Sequence, residues 1–356
     1  MFIKPFLMEF LMTKIAIEAT GCDKGFNEVL EGAKKASEKD SDLELILVAG
    51  KDKLPKEYHG IKKITDKIIL EQTDYTYNSE DPKNNQLRSS IYRAMELHKN
   101  SEVEAVIAPG DTRGSVVAAE RILGLMKNVL APAIPTLWPR NNVLIDSGAN
   151  PESTPENVLQ SAIMGHVYSK YFIKVESPLI GLVTNGRERS KGNRFVKKCR
   201  RLIEDRLKKY NLSELYFEGD CVSELDCGQV RLVDGHTGNI KLKTAEGCLT
   251  TSFTILFDKI KDQSPPKKLA AKYALKGPIM EMKKELNYES YAAGPLLGIL
   301  GNVMICHAKS EAEAIVTSIE VTKNYLKRGI NQRLEEEIMK YGVIKYGVIK
   351  YSCKAD

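Results

Sequence analysis

Residues 14–50 read KIAIEATGCDKGFNEVLEGAKKASEKDSDLELILVAG, and this stretch decides the fold class. Its first six residues predict a strand, which ends in the glycine-bearing loop TGCDKG. Residues 27–39 have the apolar spacing of a helix, and residues 43–50 predict a second strand. Two strands that are joined through a helix run parallel in one sheet, so the stretch predicts a parallel α/β arrangement.

The same order of strand, glycine-rich loop and helix recurs along the chain. It predicts an α/β fold with a mostly parallel sheet and helices on both faces, and ligands of such sheets bind at the carboxyl ends of the strands. One glycine-bearing loop is weak evidence for a site, but several at one edge favour a site there. The loops at this edge are TGCDKG (20–25), PGDTRGS (109–115), DSGANPES (146–153), TNGRERSKGN (184–193) and DGHTGN (234–239).

Composition limits the classes of partner. The 356 residues include 53 Lys+Arg and 47 Asp+Glu, a net charge of +6. This excess is too small to predict nucleic-acid binding, but it suits anionic substrates, an acidic protein or an anionic membrane surface. The seven cysteines and five histidines lack the paired spacing of a zinc site, so neither a metal nor another cofactor is predicted. Scattered cysteines of odd number indicate reduced thiols and a cytoplasmic protein.

Three parts of the chain are distinguished by sequence. Residues 1–11 are apolar but too short for a membrane span, and they lack the cleavage site of a signal peptide, so they are interpreted as an N-terminal extension. Residues 12–328 form the predicted single α/β domain. Residues 329–356 form a predicted C-terminal tail that contains a five-residue tandem repeat, YGVIKYGVIK, and low complexity at a terminus favours a loose segment.

A helical, basic and amphipathic segment at 253–288 interrupts the alternation of strands and helices. Its lysines are interleaved with apolar residues, among them Leu275, Ile279 and Met282. Two interpretations stay open. One is a helical hairpin that packs on its own core or across a dimer interface, the other is a reversible contact with a membrane surface through these three residues, and the two are compatible.

The loops carry no established catalytic motif: GxSxG, HExxH and the GxxxxGK[ST] phosphate loop are all absent. GRERSKGN (186–193) nevertheless suits an anion, because its cations stand at a strand end before a helix. Arg187 and Arg189 are interpreted as a solvated charged turn. Lys191, between Ser190 and the pair Gly192 and Asn193, is the predicted anion ligand.

The loop DGHTGN offers backbone and amide groups. Asp234 can cap the helix that follows, and Gly235 and Gly238 let backbone approach a ligand. Asn239 supplies both a donor and an acceptor. His236 is a second choice, as a general base, since a lone loop histidine is more often a plain loop residue.

Together these loops supply cations, backbone donors and amides, without a paired nucleophile and base. That set fits a reaction in which the substrate is itself the nucleophile and the protein positions it and neutralises charge. Attack of inorganic phosphate on a thioester is such a reaction. A nicotinamide dehydrogenase is disfavoured, because no GxGxxG follows the first strand.

Four stretches resemble, in order and spacing, the PlsX-type phosphate acyltransferases of bacterial phospholipid synthesis. The resemblance covers Met12 to Lys327, and it implies a three-layer α/β/α fold like that of isopropylmalate dehydrogenases and phosphotransacetylases. It also implies a homodimer that transfers a fatty acyl group from acyl-carrier protein to inorganic phosphate, with peripheral membrane association. The stretches are DSGANPESTPENVLQSAIMGHVYSKYF, GLVTNGRERSKGNRFVK, VDGHTGNIKLKTAEG and a long one that begins KLAAKYALKGPIMEMKKELNYESYAAGPLLGILGNVMICHAKSEAEA.

The resemblance assigns candidate site residues by motif. Lys191 would neutralise and orient phosphate, and Asn239, with backbone N–H groups, would hold the thioester oxygen. Asp146 and Asn150 would shape their loop. The other positions assigned to substrate binding are Gly148, Gly192, Asn193, Asp234, Gly235, Gly238, Thr112 and His307.

The chain departs from the family pattern at several motifs. Asp111 and Arg113 stand in GDTRG where the family has GNTGA, arginines replace acids in GRERSKGN, and His236 replaces an aromatic residue. Two alternatives therefore stay open beside the leading function. One is a coenzyme A-dependent phosphotransacylase of shorter acyl chains, and the other is an inactive paralogue that binds membrane or carrier protein.

Overall fold

The computed structural model describes residues 12–78, 86–138, 141–186, 188–209, 217–221, 228–285 and 293–341. The chain divides into two compact units, Met1–Met126 with Ala292–Asn331 and Lys127–Tyr291 with Gln332–Asp356. We call them the first unit and the second unit. The predicted domain 12–328 therefore contains parts of both. The predicted extension 1–11, Arg187 and nearly all of the tandem repeat lie outside the described residues.

The first unit is built on a seven-stranded sheet with the order β11-β12-β5-β1-β2-β4-β3. The edge strands β3 and β11 are antiparallel to their neighbours, and the five strands between them are parallel. The β1 residues Ile15–Ile17 are fully buried, as is typical of a parallel strand that is covered on both faces. The strands are β1 (Thr13–Glu18), β2 (Leu43–Gly50), β3 (Lys63–Thr65), β4 (Ile68–Thr73), β5 (Ala105–Pro109), β11 (Ala293–Pro295) and β12 (Val303–Cys306).

Helices cover both faces of this sheet. The helix α1 (Phe26–Lys39) connects β1 to β2, and α2 (Ser90–Lys99) connects β4 to β5 in the opposite direction across the sheet. Because crossovers between parallel strands are right-handed, opposite directions place the two helices on opposite faces. The helix α8 (Ala312–Lys327) packs on α1, and α3 (Thr112–Ile122) packs on α2. The sheet therefore lies between two helical layers.

The second unit contains a five-stranded sheet with the order β6-β7-β10-β8-β9. β7, β10, β8 and β9 are parallel, so the loops that follow β7, β10 and β8 leave one edge of the sheet side by side. The strands are β6 (Thr136–Trp138), β7 (Asn142–Ile145), β8 (Ile180–Val183), β9 (Phe217–Cys221) and β10 (Val230–Leu232). The helix α4 (Pro155–Val167), which a π-helical turn at Tyr168–Ile173 extends, packs against α5 (Arg194–Lys209).

Two long helices, α6 (Gly235–Lys261) and α7 (Pro265–Glu285), occupy most of the segment predicted as helical and amphipathic. The first begins well before residue 253, because Asp234 caps it directly after β10: the Asp234 carboxylate accepts from the Thr237 N–H at 2.9 Å. Pro265 stands at the start of α7, where its missing N–H costs nothing. Among the described residues, no helix combines the length and the apolarity that crossing a membrane requires.

The predicted fold class, a mostly parallel α/β structure with helices on both faces of a sheet, is confirmed. The chain nevertheless forms two sheets where the sequence predicted one, because each unit pairs its own strands. The predicted loose tail is also partly helical. The helix α9 (Ile330–Tyr341) buries Ile330, Leu334 and Ile338, a stripe with four-residue spacing that fits one helix face.

Candidate functional site

Asp146 organises the loop that follows β7 in the second unit. Its side chain is 1% exposed. One carboxylate oxygen accepts from the backbone N–H groups of Ile134, Gly148 and Ala149 at 3.1, 3.0 and 2.9 Å, and the other accepts from Asn150 N–H at 2.8 Å. Burial raises the pKa of the Asp146 carboxyl, and these N–H donors oppose that rise. The carboxylate of Asp146 is thus occupied in holding its own loop.

The start of α6 lies directly against this loop, and two glycines make that possible. A Cβ atom on Gly238 would lie 1.9 Å from the carbonyl oxygen of Asp146, and a Cβ on Gly235 would lie 2.5 Å from that of Asn150. Both glycines were expected to let backbone approach a ligand. In the structure they let the helix approach the neighbouring loop, and they stand in the first turn of α6 rather than in a loop.

Asn239 lies beside the same loop. Its side chain is exposed, and its Cβ, Cγ and Nδ2 atoms lie 3.6–3.9 Å from the place where Gly148 would carry a Cβ. Gly148 has a φ of 141°, which side chains rarely adopt, so both space and backbone conformation favour glycine there. Within the described part of the chain, the amide of Asn239 makes no hydrogen bond. It is therefore available to a ligand.

The loop that carries Lys191 follows β8 at the same sheet edge. Two residues that were predicted to bind substrate, Gly192 and Asn193, make hydrogen bonds that hold the shape of this loop and of the helix start after it. The N–H of Gly192, whose φ is 88°, donates to Asn185 Oδ1 at 2.9 Å, and Asn193 Oδ1 accepts from Val196 N–H at 2.9 Å in the first turn of α5. Lys191 is exposed, and its ammonium group forms no ion pair with any residue that the structure describes.

Arg200, which sequence reasoning missed, supports this loop from α5. Only 6% of it is exposed, and its guanidinium donates to the carbonyl oxygens of Arg189 at 2.8 Å and Lys191 at 3.3 Å. Arg189 itself is exposed and pairs with Glu204 at 2.7 Å, which suits its interpretation as part of a charged turn. No sequence signal separates Arg200 from the neighbouring Lys197, Lys198 and Arg201.

Two predicted site residues, Thr112 and His307, belong to the first unit. Thr112 begins α3, where the carboxylate of Asp111 accepts from Gly114 N–H at 2.8 Å. His307 follows β12, and its carbonyl oxygen accepts from the hydroxyl of Ser310 at 2.7 Å. The strands β5 and β12 are parallel neighbours, so both residues stand at the carboxyl edge of the first sheet.

Glu18, at the end of β1, is a second buried carboxylate. Only 4% of it is exposed, and it accepts from the hydroxyl of Ser90 at 2.6 Å, from the N–H and the hydroxyl of Thr20 at 3.1 Å each, and from Gly21 N–H at 2.8 Å. Burial raises the pKa of the Glu18 carboxyl, and the hydrogen bonds oppose that rise. Glu18 thus holds the loop TGCDKG through these hydrogen bonds.

A family model described as "Fatty acid synthesis protein" matches residues 13–333. The chain belongs to this family. It is 33% identical over 339 residues to the phosphate acyltransferase of Sulfurimonas denitrificans, covering 91% of this chain and 98% of the relative. It is 34% identical over 338 residues to that of Campylobacter jejuni subsp. jejuni, covering 93% and 99%. The predicted resemblance to phosphate acyltransferases is thus confirmed.

Solved structures with the same fold include two phosphotransacetylases. The one from Streptococcus pyogenes matches with a TM-score of 0.54 at 14% identity, over 92% of this chain and 94% of the other. The one from Staphylococcus aureus matches with a TM-score of 0.53 at 14% identity, over 88% and 94%. At this identity the likeness concerns the fold, and it agrees with the predicted α/β/α architecture.

Proposed function

We propose that this protein transfers a fatty acyl group from the thioester of acyl-carrier protein to inorganic phosphate. Family membership supports an acyltransferase. The structural observation that supports the proposal is that two kinds of polar residue lie at the edge of the second sheet, those that hold the loops and those that are available to substrate. The loops there are held by hydrogen bonds with the side chains of Asp146, Asn193 and Arg200. Within the described residues, the Lys191 ammonium and the Asn239 amide make no such bonds and stay available to substrate.

These two groups suit the reaction. A phosphate oxygen attacks the thioester carbonyl carbon, the C–S bond breaks, and sulfur leaves as a thiolate that takes a proton from water. Lys191 offsets the negative charge of phosphate, so that the nucleophile is held near the carbonyl. Asn239 Nδ2 donates to the carbonyl oxygen, where negative charge grows in the transition state. No general base is needed, because inorganic phosphate is an anion at neutral pH and its attacking oxygen has no proton to lose.

The experiment measures thiol release that depends on phosphate, with long-chain acyl-carrier protein, acyl coenzyme A and acetyl coenzyme A as donors. We expect release from the carrier-protein donor. Lys191→Ala and Asn239→Ala should each lower kcat/KM by about 100-fold, the usual loss when one preorganised transition-state contact is removed. Two exposed positions serve as matched controls: Lys198→Ala on α5, the helix that follows the Lys191 loop, and Thr244→Ala on α6, the helix that carries Asn239.

The donors also separate the alternatives. Release from coenzyme A donors alone would assign the protein to short-chain phosphotransacylation. A folded protein that releases thiol from none of the donors would be an inactive binding paralogue. Equal kcat/KM values for Lys191→Ala and Lys198→Ala would remove Lys191 from the catalytic machinery.

The proposed partners include a second copy of the chain and an anionic membrane surface. Support for the membrane comes from α7, where Leu269, Tyr273, Met280 and Met282 are 56%, 75%, 62% and 41% exposed beside several lysines. Leu275 and Ile279 are half-buried on the same helix. Exposed apolar side chains next to lysines suit the interface of an anionic bilayer.

Replacement of Leu275, Ile279 and Met282 by glutamine tests the membrane proposal. We expect less co-sedimentation with anionic liposomes, since each substitution removes apolar area from the contact. Sedimentation equal to that of the wild type would leave α7 as a packing element. Sedimentation velocity measures the molar mass of both proteins in solution, and the proposed dimer predicts twice the mass of one chain.

A further inference from the structure

An open cavity of about 860 Å³ lies at the outer edge of the first unit, between the segment that follows β2 and the strand β4. We call it the lysine cavity. Lys51 and Lys62 stand at its rim, and Ile61 and Leu70 contribute apolar surface. Leu70 is 3% exposed and belongs to the core, whereas Lys51, Ile61 and Lys62 are exposed.

The segment 51–63 concentrates positive charge. It holds five lysines and two acids, an excess of +3 (5 − 2), which is half of the net +6 of the whole chain. Among the residues that the structure describes, none forms an ion pair with the ammonium groups of four of these lysines, Lys51, Lys53, Lys56 and Lys62. Glu71, the acid that lines the cavity, is already paired with Arg93 at 3.0 Å.

The Gln72 amide, which lines the cavity, is already hydrogen-bonded through both its NH2 group and its oxygen. The amide of Gln72 donates to the carbonyl oxygens of Tyr58 at 3.0 Å and Ile61 at 2.8 Å, and it accepts from Gly60 N–H at 3.2 Å. Sites for small ligands depend on a few precisely oriented polar groups. Here the remaining charges stand on long, flexible lysine side chains around an apolar floor. This arrangement favours the side chains of an acidic protein over a small anion.

We propose that the lysine cavity docks the acidic surface of the carrier protein that delivers the acyl thioester. This inference rests on the proposed function, because it presumes a donor that is itself a protein. Lysines without partners steer an acidic protein and hold it in a short-lived complex, and such contacts weaken as salt screens them. The apolar floor adds a small contact area for an aliphatic side chain of the partner.

The test is the affinity of the full-length protein for fluorescently labelled acyl-carrier protein, measured by anisotropy at low and high salt. The variant carries Lys51→Gln, Lys56→Gln and Lys62→Gln. The matched control carries Lys34→Gln, Lys99→Gln and Lys327→Gln, three exposed lysines of the same unit. We expect the Kd of the variant to rise about tenfold at low salt, from three surface charge pairs, and that of the control to change less than twofold.

Thiol release is measured on the same three proteins. With the proposal correct, the KM for acyl-carrier protein rises in the variant while kcat and the KM for phosphate do not change. Equal affinities of variant and control, or no binding by the wild type, would overturn the docking proposal. So would a loss confined to inorganic phosphate, which would make the cavity a small-anion site. Binding by the wild type without thiol release would overturn the proposed function and leave the docking proposal in place.

Discussion

Among the described residues, each unit buries one carboxylate at the end of a parallel strand, and the two carboxylates differ in their donors. Asp146 of the second unit accepts from four backbone N–H groups of Ile134 and of its own loop. Glu18 of the first unit accepts from two backbone N–H groups of its loop and from the hydroxyls of Thr20 and Ser90. In both cases a strand end fixes a glycine-rich loop through one side chain.

The kind of hydrogen-bond donor determines which side chains can replace the carboxylate in each loop. A backbone N–H can only donate, so both oxygens of Asp146 must accept. A hydroxyl can turn and accept instead. The Thr20 hydroxyl oxygen already accepts from Gly50 N–H and from the Thr76 hydroxyl, so only the Ser90 hydroxyl can turn. The Glu18 network can therefore offer one acceptor to a neutral acid or an amide, whereas an amide at Asp146 would meet only donors. The stricter loop is the one beside Asn239, whose position matters most for the proposed chemistry.

Glycine substitutions should separate the two loops most clearly. A Cβ on Gly238 would stand 1.9 Å from a backbone oxygen, that of Asp146, whereas a Cβ on Gly21 would stand 2.2 Å from Oε2 of Glu18, the end of a side chain. The backbone at Asp146 cannot move without its loop, whereas the end of the Glu18 side chain can shift at the cost of weaker hydrogen bonds. We expect Gly238→Ala to lower the free energy of unfolding by about 3 kcal/mol and Gly21→Ala by about 1 kcal/mol.

Chemical denaturation of both variants measures these values, and Gly247→Ala is the control, because a Cβ there meets no atom within 4 Å. Gly238→Ala should also lower phosphate-dependent thiol release, since it displaces the loop beside Asn239. A Gly238→Ala protein as stable as Gly247→Ala would show that α6 can shift away from the loop at little cost.

Asp146→Asn tests the requirement for two accepting oxygens. The new amide can accept on one side only, so its NH2 group faces either the N–H of Asn150 or those of Ile134, Gly148 and Ala149. A buried donor without an acceptor costs about 1–3 kcal/mol, so we expect a loss of roughly 2 kcal/mol in the free energy of unfolding. A loss well below that of Gly21→Ala would mean that the Asp146 loop adapts as readily as the other.

The sequence predicted the alternation of strands and helices, because apolar periodicity and glycine loops are local signals. It placed β1, α1 and β2 to within a residue or two. It did not predict two sheets, since strand pairing depends on contacts between distant residues. The start of α6 was placed too late, because glycines 235 and 238 indicate a loop while the cap at Asp234 favours a helix.

The sequence motifs select candidate site residues, and their action on substrate stays a prediction, whereas their contacts become known only from the structure. The motifs identified Asp146, Lys191 and Asn239, but no pattern shows that the carboxylate of Asp146 is occupied by its own loop. Arg200 carried no signal at all, since it stands in a run of cations on an ordinary amphipathic helix. Its role depends on burial against the carbonyl groups of another segment, which only the folded chain defines.

The smallest expected effect, and the one that depends on pH, is that of Glu18→Gln. At acidic pH the wild-type carboxyl also carries a proton, and the Ser90 hydroxyl can accept from the new amide, so the loss at acidic pH should stay within about 1 kcal/mol. Burial raises the pKa of Glu18 in the folded protein above the value of 4.5 for an exposed glutamate. Between the two values, the unfolded chain has released a proton that the folded protein still holds, so stability falls as pH rises through this range.

Glutamine cannot titrate, so the wild type should lose stability relative to Glu18→Gln as pH rises above 4.5, until the folded carboxyl is ionised. Denaturation of both proteins at a series of pH values from 4 to 8 measures the difference. The titration of Asp146 occurs in both proteins and cancels. A difference that does not vary with pH would mean that Glu18 is ionised in the folded state as easily as in the unfolded one. Its hydroxyl donors would then hold a carboxylate as firmly as the amides of the Asp146 loop do.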